Sequence, residues 1–395
     1  MKYNFKPHID KLEFKKRRQD LRKLMNQQNI DVVVAYSDDR ATFGQQYTRY
    51  FFNYQPHFEP ACAIIPLEGE SCIVTGPECE ELVFNSSYCE NVKIADVFTH
   101  PDEEYPYHQI LSFFKILKLL TKFKKNKKIT IGLAGSEMLP YKYWKEIKDI
   151  SKSKIIEANS IIEKLRTIKS EQEIKVIKYA YKIAQRGIQK GIEVINEGMT
   201  ERELAAEIEY EMRKLGSEGM GIDTIVGSGK INTHSIITRT TSKKLKKGEH
   251  VLLTIAPRYE GYHGAIGRVV AIGKINEKIV QAYEVAIKAQ NEVIKFLKPG
   301  TKGKDLDNIA RNVCKEYNLE KYFAYSGIHS LGVSEFEPPI MTSWNNITLK
   351  KNMILSVDIP LFWLSWGGLR LEDGFHITKN FNKPLQKISK EITYK

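Results

Sequence analysis

The sequence predicts an α+β protein in two parts, a smaller α/β domain over residues 1–160 and a larger α+β domain over residues 161–395. Three observations carry this. Strand-like apolar runs and helical stripes share the first part. Near residue 160 the texture changes, and two long helical stretches begin, each behind its own capping residue. Four further strand-like runs then surround a second pair of helical stretches. The 395 residues give room for two domains, because one hydrophobic core rarely serves more than ~250 residues.

Residues 12–29 open the chain as a helix, with Leu12, Phe14, Leu21, Leu24 and Met25 forming one apolar stripe. The run "DVVVAY" that follows has the all-apolar pattern of a buried strand. Further strands are expected at "ACAIIPL" and "ESCIVTG", joined by a turn at Glu68 and Gly69, and at "KITIGLAG". Residues 110–120, "ILSFFKILKLL", are interrupted by Lys115 and Lys118 and read as an amphipathic helix. In the second part, Ser170 precedes "EQEIKVIKYAYKIAQRGIQKGIEVI" with Glu173 three residues on, and Thr200 precedes "ERELAAEIEYEMRKLG" with Glu203 in the same place. Each pair is the reciprocal device that satisfies the first orphan amides of a helix. Strands are expected over residues 250–259, 261–273, 352–362 and 368–378, with helices over 278–297 and 304–317 between the second and third. Hairpin strands with helices laid over them make this half α+β.

Composition narrows the function classes. Hydrophobic content of 42% with 28% charged residues is that of an ordinary globular chain without long disordered tracts. The apolar stretch at 110–120 falls far short of the ~20 residues a membrane span needs. The first residues, "MKYNFKPHIDKLEFKKRR", have no apolar core before small residues, so no secretory signal is expected and the cytoplasm is the default location. Cys62, Cys72, Cys79, Cys89 and Cys314 form an odd set without paired spacing, which reads as free thiols rather than disulfides or a zinc site. The net charge of +13 raises the question of nucleic acid. Its densest runs, "KFKKNKK" (122–128) and "KKLKK" (243–247), lack interleaved aromatics and read as solvated loops, so nucleic acid is not the expected partner.

Several motifs in the second part point to a family. "GMTE", "GSGKINTH", "GIHSLGVSEFEPP", "NMILSVDIP" and "GGLRLEDG" occur in this order. With them the C-terminal half resembles the pita-bread fold shared by aminopeptidase P, prolidase, methionine aminopeptidase and creatinase, and the first half resembles the N-terminal domain of the creatinase and aminopeptidase P branch. The resemblance implies a five-ligand site of two Asp, one His and two Glu, in which bridging carboxylates neutralise two divalent ions that activate water. Carried onto this chain, the two Asp fall on Thr254 and Ala265. The His is His329, the first Glu becomes Asp358, and the second is Glu372. Arg258, Tyr259, Gly261, Tyr262 and Arg268 hold the register on both sides of the missing acids. A hydroxyl and a methyl cannot replace two anions, so no metal is the expectation. The alternative is one Mn, Co or Zn ion on His329, Asp358 and Glu372.

Strand alternation places further side chains. An extended residues 261–269 puts His263 on the face of Ala265, where its ring would fill the emptied space. Arg370, Glu372 and His376 share a face of the last strand, and Ser356, Asp358 and Pro360 share one of its neighbour's. His234, His263, His329 and His376 are therefore expected to converge with Asp358 and Glu372, the ingredients of general acid and base catalysis without metal. The resemblance to creatinase implies such chemistry, with His234 at its catalytic His, although its catalytic Glu falls on Gly267 here. Arg268 and Arg370 are candidates to hold a substrate carboxylate or to form structural ion pairs. Glu335 and Glu337 alternate with Phe336 and flank the cleft, and Phe336 stands where the peptidases carry a second His.

The N-terminal domain of this branch commonly completes the pocket of a neighbouring subunit, which implies a homodimer. "YTRYFFNYQPHFEP", with Arg49, His57 and Glu59, is the candidate stretch. The leading expectation is a metal-independent, creatinase-like hydrolase of a C–N bond in a small substrate, with His234, His329, Asp358 and Glu372 catalytic and His57, His263, Arg268, Glu337, Arg370 and His376 lining the substrate. Two alternatives stand beside it. One is an Xaa-Pro dipeptidase or aminopeptidase P-like enzyme acting on short peptides with one or weakly bound metal. The other is a non-catalytic pita-bread binding protein, for which the positive charge would favour an acidic partner.

Overall fold

The computed structural model describes residues 6–121, 128–149 and 154–395. They fall into two compact units, Ile9–Arg166 and Thr167–Lys395, the second also taking in the described residues before Ile9. The division lies within the helix Asn159–Thr167, a few residues beyond the boundary read from the sequence.

The first unit is built on a seven-stranded sheet. Its order is Ile110–Leu111, Val92–Ala95, Cys72–Thr75, Ala61–Pro66, Val32–Ser37, Thr130–Ala134 and Lys154–Glu157. Val32–Ser37 pairs antiparallel with Ala61–Pro66 and parallel with Thr130–Ala134, so the sheet is mixed. The opening helix covers Lys11–Gln27 and buries Phe14, Leu21 and Met25, but Leu12 is exposed. The helix expected over 110–120 is shorter. Ile110 and Leu111 add an edge strand against Ile94 and Ala95, and the helix runs over Phe113–Thr121, burying Phe113, Ile116 and Leu117. "YTRYFF" lies in the buried helix Gln46–Phe52. All five cysteines are free and buried. Of the two lysine runs, 122–127 lies outside the described residues. Residues 243–247 form the loop before a strand, with Lys243 paired to Glu249 at 2.5 Å.

The second unit has a nine-stranded sheet. Along its main path the order is Glu337–Ile340, Ile328–Ser330, Ile354–Leu364, Gly367–Ile377, Ile266–Ala271, His250–Ile255 and Ile225–Ser228. Both expected capping boxes are present. Ser170 accepts from the amide of Glu173 ahead of the helix Glu171–Val194, and Thr200 from that of Glu203 ahead of Glu201–Lys214. On the long hairpin, alternation separates two sets of side chains. Leu355, Val357, Ile359, Leu361, Leu369 and Leu371 join the core formed with the helices Glu277–Phe296 and Gly303–Glu316. Residues 356, 358, 370 and 372 take the other face.

One expectation fails in an informative way. The strands over 250–259 and 261–273 are each broken, and their outer pieces, Pro257–Tyr259 and Tyr262–His263, join Gly219–Met220 in a separate three-stranded sheet. The break falls at Gly264 and Ala265, where the backbone of the helix Glu171–Val194 presses in. A Cβ at Gly264 would stand 2.5 Å from the amide nitrogen of Tyr181.

Candidate active site

Register assembles the site. Asp358 faces Glu372 across the long hairpin, Glu372 faces Gly267, Gly267 faces Thr254, and His329 faces Ser356. Residues directly opposed on an antiparallel ladder present their side chains to the same side. Four strands remote in sequence thus deliver Thr254, Glu372, Asp358, Ser356 and His329 to one face. Gly267 is bare for a reason, since a Cβ there would stand 2.9 Å from the Arg370 side chain and 3.2 Å from that of Glu372.

His329, Glu335 and Glu372 form a buried group whose ligand atoms all lie within 4.8 Å of one another. The Nδ1 of His329 lies 2.9 Å from the Ser330 carbonyl oxygen, which can only accept, so Nδ1 carries the proton and the Nε2 lone pair points away from it. That Nε2 is 3.9 Å from Glu372 Oε1. Ser356 Oγ donates to the same Glu372 oxygen at 2.7 Å and fixes it. Phe336 lies against the imidazole with ring centres 4.4 Å apart. Beside this group, Arg370 Nε stands 3.1 Å from Asp358 Oδ2, while the Tyr325 hydroxyl donates to that oxygen and accepts from Arg370 at 2.7 Å.

The electrostatics follow from burying three carboxylates with one guanidinium. Burial, reinforced by Glu372 and Asp358 and opposed by Arg370, pushes the Glu335 carboxyl up to about 8. Burial also raises Asp358, to about 7, with Arg370 pulling down and Glu372 pushing up. Burial lowers His329 below the usual imidazole range despite Glu372 nearby, keeping the ring neutral.

Several candidate residues prove to be elsewhere. His263 does not fill the position over Ala265. The alternation assumed for 261–269 breaks at Gly264, and His263 pairs with Arg258 in the small sheet, its Nδ1 3.0 Å from the Gly332 oxygen. Tyr181 lies over that position instead. It is fully buried, its hydroxyl interacts with the Ala265 backbone and with Glu372, and a Cβ at Gly374 would overlap its ring. Arg268 points to the opposite face and pairs with Asp373 at 2.6 Å, also bonding the Glu372 and Ser389 carbonyls, so it holds the sheet and not a substrate. Glu337 is taken by Lys169 at 2.9 Å, both side chains buried. His376 sits at the sheet margin with Nε2 3.2 Å from Asn352 Oδ1. Arg370 is on the site face, but its charge is engaged by Asp358. His234 is half-buried in the turn after Gly229–Asn232. Its carbonyl accepts from Trp363 at the far end of the long hairpin, and it is not part of the buried His329 group. In the first unit His57 is exposed, its carbonyl accepting from Cys79 Sγ, and Glu59 accepts from the Cys79 amide.

Reading the sequence alone missed the parts played by Tyr181, Tyr325, Lys169 and Asp373. Glu335 left a signal in "SEFEPP", but its alternation with Glu337 misleads. Residues 335 and 336 lie in a bend rather than a strand, and the two acids go to different partners.

A curved set of strands with paired helices and a buried imidazole–carboxylate group on one sheet face defines a hydrolase of the pita-bread class. The comparisons narrow this. Residues 175–379 match Metallopeptidase family M24. The Xaa-Pro dipeptidase of Pyrococcus furiosus is 30% identical over 372 residues, 92% of this chain and 99% of that protein. The Xaa-Pro dipeptidase of Pyrococcus horikoshii is 34% identical over 280 residues, 69% of this chain and 79% of that protein. The crystal structure of the prolidase from Pyrococcus horikoshii superposes with a TM-score of 0.81 at 28% identity, covering 95% of this chain and 99% of that one. The chain belongs to Metallopeptidase family M24. The leading expectation of a metal-independent, creatinase-like enzyme is not supported by these relatives, which favour the Xaa-Pro dipeptidase alternative. A metallopeptidase family likewise favours a divalent ion over the expectation of none.

Whether a metal fits is decided by the donors. A pair of ions does not fit, because Thr254 and Ala265 bring no charge and Tyr181 lies over the Ala265 position. One divalent ion fits the His329, Glu335 and Glu372 group, a neutral imidazole with two carboxylates.

Proposed function

We propose that this protein is a hydrolase of short peptides of the Xaa-Pro type. The observation that carries the reading is the buried imidazole–carboxylate group on the sheet face of an M24 chain. A divalent ion on His329 and its neighbouring carboxylates would polarise a peptide carbonyl and make a bound water more acidic. The chain's own residues do the rest. Ser356 holds Glu372 so that one oxygen is committed to the serine and the other is left to accept a proton from water. Arg370 and Tyr325 hold Asp358 in place and offset part of its repulsion of the acids beside it. Phe336 covers the His329 ring and keeps water from one side of it. His234, half-buried in its turn, is the candidate to meet the substrate from outside the buried group.

As further parts of this proposal, the enzyme works as a cytoplasmic homodimer, with His57 in the stretch that would complete a neighbouring pocket. No helix among the described residues is long and apolar enough to cross a membrane.

The test is a screen of Xaa-Pro dipeptides, dipeptides without proline, N-acyl amino acids, ureas and amidines, each with Mn, Co or Zn and again with chelator. Turnover confined to Xaa-Pro dipeptides supports the reading. Chelator-insensitive turnover of a urea or amidine with no peptide cleavage restores the creatinase-like alternative, and an inert protein favours the binding role.

A further inference from the structure

Given an M24 peptidase, the reading on which this inference rests, the open question is what became of a site stripped of two acids. We propose that the chain holds one divalent cation, not two, on His329 Nε2 and the carboxylates of Glu335 and Glu372, with Glu335 as a replacement ligand. Glu335 lies outside the five positions of the pita-bread ligand pattern.

Geometry supports the donor set. The His329 Nε2 to Glu372 Oε1 separation of 3.9 Å is too long for a hydrogen bond. Two ligands on one tetrahedral ion with bonds of ~2.0–2.2 Å stand ~3.3–3.6 Å apart, so a closure of a few tenths of an ångström would let both bind one cation. With Nδ1 committed to the Ser330 carbonyl, Nε2 offers a lone pair. Three potential ligand atoms, one from each residue, converge within 4.8 Å of one another.

Charge points the same way. Asp358 has Arg370 and Tyr325 to itself, so it is a poor third ligand, contrary to the His329, Asp358 and Glu372 set suggested by the sequence. Among the described residues neither Glu335 nor Glu372 makes an ion pair with Lys or Arg; Glu372 has the neutral His329 at 3.9 Å, and Arg370, which acts on both carboxylates electrostatically, is bonded to Asp358. Two buried carboxylates that share one guanidinium with a third are costly unless something more positive lies between them.

An independent observation comes from atoms around the group. Asp358 Oδ1 and Thr254 Oγ1 are fully buried side-chain atoms without a hydrogen-bond partner, and the Tyr181 hydroxyl is buried beside them. Tyr181 and Asp358 both interact electrostatically with Glu335 and Glu372. Such atoms in a native interior call for an ion or its bound water. The same residues exclude a second ion. Tyr181 crosses from its helix to Gly374 at the position of the lost acid at 265, and Thr254 stands at the other.

The experiment is equilibrium dialysis of the chelator-treated, full-length protein against Mn2+ or Co2+, with elemental analysis for stoichiometry and the Co2+ absorption spectrum for the ligand field. The expected result is one ion per chain, with Glu335→Gln weakening binding at least ~10-fold at unchanged circular dichroism and Thr254→Ala leaving the stoichiometry at one. Two ions per chain, no ion in the wild type, or undiminished binding by Glu335→Gln would each overturn the proposal. The wild-type stoichiometry decides even if the variant fails to fold. Turnover of an Xaa-Pro dipeptide by protein shown to hold no ion sinks the metal site and spares the peptidase reading. One ion without turnover supports the site and counts against that reading.

Discussion

At the scale of single residues, what a charged side chain does here depends on which face of its strand it occupies. Arg268 and Arg370 look equivalent in the sequence, yet Arg268 pairs with Asp373 on the helix-packed side and Arg370 with Asp358 on the site side. Arg268→Ala is therefore expected to cost ~3–5 kcal/mol, because it strands a buried carboxylate. Urea denaturation measures this, and a raised KM at unchanged stability would instead make Arg268 a substrate ligand. Lys169→Met should cost a similar ~3–5 kcal/mol by taking the buried ammonium away from Glu337. Its partner change, Glu337→Gln in the Lys169→Met background, should recover part of the loss. Ser356 has a different role. Removing its hydroxyl frees Glu372 to rotate, so Ser356→Ala is expected to lower kcat for an Xaa-Pro dipeptide ~10-fold with KM nearly constant. A change confined to KM would assign Ser356 to substrate binding.

At the scale of elements, the helix Glu171–Val194 does more than cover the sheet. Its Ser170 and Glu173 cap sets where it starts, and its middle pushes Tyr181 between the strand beginning at Ile266 and the strand Gly367–Ile377. Those two strands share a single opposed pair, Gly267 with Glu372, which leaves the gap that the tyrosine occupies. Gly374→Ala would drive a methyl into that ring and is expected to destabilise by ~1–3 kcal/mol. Shortening the ring's reach with Tyr181→Leu in the same chain should cancel part of that cost, and strictly additive losses in thermal unfolding would place Tyr181 away from Gly374. Loss of the cap in Ser170→Ala should cost ~1 kcal/mol.

At the scale of the whole molecule, two units divide at Arg166 and Thr167. The proposed dimer is tested by light scattering, with twice the mass of one chain expected and the mass of a single chain removing the shared-pocket role of His57. The two-unit plan, the α+β class, the paired helices and both capping boxes were legible in the sequence, because they rest on periodicity and on local hydrogen bonds. Other features were set by packing between distant segments. The break at Gly264 arises where a helix backbone meets a strand, so it removed His263 from the site without any local sign. Glu335 and Glu337 differ by two positions, yet a bend sends one to Glu372 and the other to Lys169. Tyr181 reaches the site from a helix whose pattern reads only as amphipathic. Sequence alone determined which elements form, because that is written in spacing along one segment. Only the tertiary structure decided which carboxylates are buried together, because burial and neighbouring charge belong to residues brought together from four strands and a helix.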